Sequence, residues 1–247
     1  MGVFIFLILL SVGYLSSLRF HSYYGDGMVL QRDVPVNVWG YDELLPGASL
    51  ECQMLDGQIS SHSSLVTTAV RVGVWSVELP AMPAGSVCDV EVSGTEEVIS
   101  LSGVLFGDVW LCSGQSNMEQ SMANIMNATI EIADSAPYTN IRYMEVANSH
   151  SLEPDDDVDV SLSIPWSDSS AATLKDMSAI CYLFARNIQD MMQAEGDDPV
   201  PLGMVDSDWG ELPLSPGQVR RLWMFVMQEL NALKNTHRGV IHAYGTQ

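Results

Sequence analysis

Asp108-Val109-Trp110-Leu111-Cys112-Ser113-Gly114-Gln115-Ser116-Asn117-Met118 is an apolar run that breaks abruptly into small and polar residues. With Val104-Leu105-Phe106-Gly107 ahead of it, the part up to Cys112 is apolar enough to be a central strand. Gly114 permits a tight backbone turn, so Gln115 and Ser116 fall on a strand-to-helix elbow, with Asn117 opening the helix. A serine so placed exposes its hydroxyl at the sheet edge, where N–H groups at a helix start receive an anion. The pattern points to nucleophilic acyl transfer, given a base to take the serine proton.

Outward from this stretch the texture differs on the two sides. From Leu18 to Ser100 short alternating runs are punctuated by turns. Val34, Val36 and Val38 alternate with polar residues; Leu50, Cys52 and Met54 share a face, as do Val70, Val72 and Val74, then Cys88, Val90 and Val92. Pro46-Gly47, Asp56-Gly57 and Pro83-Ala84-Gly85 supply the turns. This spacing predicts a small all-β, sandwich-like domain over 18–100. After Gly103 strands alternate with helices: a helix over Met118–Ala136, a strand at 140–146, a helix over Ala172–Ala194 turning Met177, Cys181, Phe184 and Ile188 inward, and a strand at 200–207. Residues 101–247 therefore read as α/β, a mostly parallel doubly wound sheet with its chemistry at the carboxyl ends of the strands.

The formal charge is −21, from 31 acidic against 10 basic residues. Such a chain is repelled by phosphate backbones and anionic lipid surfaces, which argues against a nucleic-acid partner. Residues 3–13 (VFIFLILLSVG) are apolar but too short to span a bilayer, and small residues follow, so 1–17 read as a secretory signal. No later run is long and apolar enough for a transmembrane anchor. The four cysteines suit an oxidising compartment and match no zinc spacing. Cys52 and Cys88 lie on alternating strands, either as a bridge or as two buried thiols, whereas Cys112 and Cys181 are expected to be buried without bonding. Asn127-Ala128-Thr129 is a glycosylation sequon. The acidic run at 153–159 reads as solvated surface, and no metal or cofactor is expected.

Gly114-Gln115-Ser116-Asn117-Met118, preceded by FGDVWLCS, resembles the nucleophile block of the SGNH hydrolases, most closely the sialate O-acetylesterases. The resemblance extends through YYGDGMVLQRDVPVNVWGY (23–41), MSAICYLFARNI (177–188) and PLGMVDSDWG (201–210). It implies a flavodoxin-like hydrolase domain behind an all-β domain. It also implies a secreted or lysosomal enzyme that removes O-acetyl groups from sialic acid or a related acyl carbohydrate. Ser116 takes the nucleophile's place, with Gln115, Asn117 and Gly210 as oxyanion or substrate contacts. Two departures stand out. Glu211 and Leu212 follow Trp209-Gly210 where the family has glycine and threonine, and no Asp-x-x-His follows Ser116. His21, His62, His150, His237 and His242 are the remaining candidates for a base, His242 first. The expectation is a sheet incomplete at its C-terminal side, exposing Leu222, Phe225 and Val226, with weak esterase activity or glycan binding without turnover.

Overall fold

The computed structural model describes residues 18–42, 47–54, 59–65, 67–71, 73–94, 97–146, 148, 157–159, 161 and 163–210. The signal expected at 1–17, the Glu211–Leu212 departure, Leu222, Phe225, Val226, His150, His237 and His242 lie outside them.

The N-terminal strands are β1 (Arg19–Phe20), β2 (Val29–Gln31), β3 (Val36–Tyr41), β4 (Gly47–Met54), β5 (Ile59–Leu65), β6 (Thr67–Arg71), β7 (Val74–Leu79) and β8 (Ser86–Ser93). They lead into the 15-residue β9 (Val98–Cys112), so position 100 falls inside a strand. Beyond it come α1 (Ala128–Ala133), β10 (Ile141–Glu145), β11 (Ile164–Asp168), α2 (Ala171–Leu174), α3 (Ala179–Glu195) and β12 (Leu202–Asp206). One four-stranded sheet has the order β1-β3-β7-β6. The large sheet has the order β11-β10-β12-β9-β8-β4-β5, with β2 paired to β9.

The parallel pairing expected of 101–247 is seen in β9, β12 and β10, but the sheet continues through β9 into the antiparallel strands of the N-terminal part, so as a whole it is mixed. β10, β12 and β9 run parallel, as do β2 and β9, while β8, β4, β5 and β11 pair antiparallel. The reason is β9 itself. Its first half is a hairpin partner of β8, and its second half continues past the end of β8 to pair with β12.

Both faces of β12 are covered, so all five of its residues are buried. On one face Leu202 and Met204 meet Tyr182, Ala185 and Cys181 of α3. On the other, Val205 joins Leu111, Met144 and Trp166 in a core shared with Met28, Leu30 and Phe106. A Cβ at Gly203 would lie 2.7 Å from the Cβ of Val29, so glycine is what lets β2 approach this closely. Each fully buried apolar side chain here contributes roughly 1.5–3 kcal/mol. Among the described residues, the second face is packed by strand and loop residues rather than by a second helical layer.

Several local expectations shift. Val70 and Val74 belong to different strands, because a turn with Gly73 at φ +75° separates β6 from β7. The helix expected over 118–136 is one turn, a 3-10 turn at Met122–Asn124 and the short α1. The helix expected over 172–194 breaks between α2 and α3, where Ser178 caps α3 by accepting the Cys181 N–H. Phe184 is 37% exposed and packs edge-on to Trp110, while Tyr182, Ala185 and Gln189 take the inward positions beside Cys181. Asp157, expected to be solvated, accepts the Ser22 N–H at 2.9 Å and pairs with Arg19 and with buried His21.

The cysteine expectation is overturned for one pair. Cys112 and Cys181 are joined, Cα to Cα 5.9 Å, linking the end of β9 to the first turn of α3. The residues sit on a strand and a helix far apart in sequence, and only the packing of α3 on the sheet brings them together. Cys88 is also disulfide-bonded and lies in register opposite Cys52 across the β4–β8 ladder.

Candidate active site

Three parallel strands end on one edge, with Cys112, Glu145 and Asp206 side by side in register. Beyond Cys112 the chain makes the turn that carries Ser116. The Met118 and Glu119 N–H groups both donate to Gln115 O, at 2.7 and 3.1 Å. Gln115, Ser116 and Asn117 are exposed, and Met118 is buried as the anchor of the turn. The elbow is present, although a single turn replaces the helix expected after it.

The loop after β12 is fastened to this turn. Ser207 N donates to Cys112 O at 2.9 Å, and Trp209 N donates to Gly114 O at 3.1 Å. Gly210 thereby faces Ser116. A Cβ on Gly210 would stand 3.3 Å from Ser116 Cα and 1.9 Å from Glu119 Oε2. Glu119 is the end of a flexible exposed side chain and can swing aside, so Gly210→Ala should leave the melting temperature within a degree or two of wild type. The methyl would then fill the space beside Ser116. If Ser116 is a nucleophile, its acyl transfer should fall roughly tenfold or more in this variant; an unchanged rate would show that this space is not used.

Four carboxyls collect here: Glu119, Glu145, Asp206 and Asp208. Asp206 is 1% exposed, and its Oδ2 accepts the Tyr143 hydroxyl at 2.7 Å. Burial first, then the neighbouring Asp208 charge, raises Asp206 well above the ordinary carboxylate range. Its Oδ1 has no donor facing it. Asp208 is pushed up to about 6 by burial, opposed by the hydrogen bond from Asp206 and reinforced by Glu145 and Glu119. Burial also raises Glu145, against the Tyr143 hydroxyl and with Glu119 and Asp176. Burial and Asp206 hold the Tyr143 phenol neutral.

Of the histidines, His21 is described in full. It is buried against Trp39, with Nε2 3.2 Å from Asp157 Oδ1, in the core of the β-rich half. His62 lies on β5. No described histidine is hydrogen-bonded to Ser116. Asn127 is exposed at φ 63°, just ahead of α1, a placement open to a glycan. Among the described residues no cluster of three or more His, Cys, Asp or Glu is arranged to hold a metal.

The sequence reading passes over Tyr143, Ser178, Asp206 and Asp208. The usable signal lay in VDSDWG, where two carboxyls close an otherwise apolar strand at the end where such sheets keep their chemistry.

No family model matches the chain. The human sialate O-acetylesterase is 34% identical over 206 residues, covering 79% of this chain and 38% of that protein. The rat sialate O-acetylesterase is 34% identical over 213 residues, covering 82% and 38%. Among solved structures, a carbohydrate acetylesterase from Xanthomonas citri superposes with a TM-score of 0.62 at 30% identity, covering 78% of this chain and 40% of that one. The chain thus spans under two-fifths of the length of the curated relatives it matches. Over about four-fifths of its own length, this chain is a homologue of the sialate O-acetylesterases.

Proposed function

We propose that this chain carries the nucleophile half of a carbohydrate O-acetylesterase, with an O-acetylated sialic acid as the first substrate to test. The observation that carries the reading is Ser116, exposed on the turn at the carboxyl end of β9, with Gly210 fastened opposite it. Ser116 Oγ attacks the acetyl carbonyl carbon and its proton passes to a base. The carbonyl oxygen takes the electron pair as an oxyanion, for which the Ser116 N–H and the groups around Gln115, Asn117 and Gly210 are the proposed contacts. Collapse breaks the bond to the sugar oxygen, which leaves with the electron pair and takes the proton from the base to become a hydroxyl, and acetyl-Ser116 remains. Water then releases acetate and restores the serine.

Among the described residues no histidine is hydrogen-bonded to Ser116. Removing the histidine of a serine triad costs on the order of 10⁶ in turnover. A polypeptide of these 247 residues is therefore expected to hydrolyse an activated acetyl ester slowly. Comparison of the full chain with Ser116→Ala on such an ester is the direct test. A slow rate lost on substitution supports the reading, and an identical rate in both proteins removes Ser116 from the chemistry. The second reading, glycan binding without turnover, is favoured by the carboxyls crowding the Ser116 turn. It predicts that both proteins bind an O-acetylated sialoside equally and release no acetate. The disulfide joining Cys112 to Cys181 supports a secretory-pathway location for this chain, with Asn127 as its glycan site. Residues 18–100 and 101–247 are proposed as an all-β part and an esterase part, joined through β9, which crosses the boundary. Among the described residues no helix is long and apolar enough to cross a membrane.

A further inference from the structure

The Ser116 turn is held from beneath by a hydrogen-bonded chain that takes no part in the acyl transfer itself. Ser178, the buried N-cap of α3, donates from Oγ to Met118 O at 2.6 Å and accepts the Cys181 N–H at 3.3 Å. Its own N–H donates to the Tyr143 hydroxyl at 3.3 Å. That hydroxyl gives its one hydrogen to Asp206 Oδ2 at 2.7 Å, so its oxygen is left to accept. Each donor meets an acceptor, and the chain runs from the Ser116 turn through α3 and β10 to β12. Backbone bonds repeat the attachment on either side: Ala179 N to Gln120 O at 2.8 Å and Met122 N to Met177 O at 2.9 Å.

We propose that Ser178 is the positioning residue of the Ser116 turn, oriented for that role by Tyr143 and Asp206. The role rests on the reading of Ser116 as nucleophile, but the fastening itself does not. Met118 is the buried foot of the turn, and its carbonyl has Ser178 Oγ as its described side-chain donor. Without that hydroxyl, Met118 O and Cys181 N–H are both left without this partner in a dry place, and the turn is freed to find others. A nucleophile displaced by a fraction of an ångström reacts slowly while ground-state binding is preserved.

The test uses the full chain and five proteins: wild type, Ser116→Ala, Ser178→Ala, Ser178→Thr and Tyr143→Phe. Amide hydrogen exchange is followed at Met118 and Glu119 and, as a reference, along β8. Hydrolysis of an activated acetyl ester gives kcat and KM. Ser178→Ala should speed exchange at Met118 and Glu119 by about tenfold or more, leave β8 unchanged, and lower kcat about tenfold at constant KM. Ser178→Thr, which keeps the hydroxyl, should restore both, and Tyr143→Phe should move both in the direction of Ser178→Ala. Exchange that is unchanged, or equally faster in β8, overturns the proposal, as does failure of a folded threonine variant to rescue. If Ser178→Ala does not fold, Tyr143→Phe decides on the same readouts. Local exchange as expected, with hydrolysis indifferent to Ser116→Ala, would refute the nucleophile reading and leave the fastening standing.

Discussion

Replacing Cys112 and Cys181 together by alanine is expected to lower stability by roughly 2–4 kcal/mol, the usual range for a native disulfide. The bond closes a loop of 69 residues, long enough that its removal restores considerable entropy to the unfolded chain. Both cysteines are buried, so the alanines also leave a small void between β9 and α3. The measurement is the urea midpoint of the double variant against wild type, with the disulfide of Cys88 left intact. An unchanged midpoint would mean that packing of α3 on the sheet alone sets the stability. The same substitution bears on the site, because Cys112 is the last strand residue before the turn that presents Ser116.

The second large effect is on pH dependence. Asp206 and Asp208 are raised in the folded protein above their unfolded values, so the native state binds more protons than the unfolded state across that interval. Their stabilising contribution is complete below the unfolded value of about 3.9 and is lost as pH rises through about 6, where Asp208 ionises. Glu119 and Glu145, which face the pair, and Asp176 beside Glu145 add repulsion on the same side. The amide introduced by Asp208→Asn would still accept a hydrogen bond from Asp206 and would not ionise. This variant should therefore gain about 1–2 kcal/mol over wild type at pH ~7.5, after discounting for solvent screening, and gain little at pH ~4. Urea midpoints of both proteins at the two pH values give the difference directly. Parallel pH profiles would show that Asp208 does not titrate in this interval.

How much of this was legible beforehand depends on whether the determining contacts are local. The strand through Cys112, the turn at Gly114, and strands at 141–145 and 202–206 follow from apolar runs and a glycine, which are local signals. The alternation of Cys88, Val90 and Val92 likewise marks a buried face, and all three are buried. The sheet's mixed character was not legible. It arises because β9 exchanges β8 for β12 partway along, and that is decided by tertiary packing. The Cys112–Cys181 bond was hidden for the same reason, since no sequence spacing reports a strand packed against a helix 69 residues away. At the candidate site, motif and turn chemistry single out Ser116, which is exposed on its turn. Tyr143, Ser178 and Asp206 are ordinary residues in sequence and acquire meaning only where three elements meet.

β9 also bears on how such a protein is inherited and recombined. Its 15 residues extend about 50 Å, long enough to serve the antiparallel ladder at one end and the parallel one at the other. A crossover at residue 100 would cut this strand and separate Val104 and Phe106 from the β8 and β2 partners that flank them. The part after residue 100 is therefore not a cassette that can be moved without the strands before it. Homologous exchange is expected to preserve residues 18–112 as a block. Permissive breakpoints should fall beyond it, at surface turns such as the one closing α3, where Gly196 takes φ +86°.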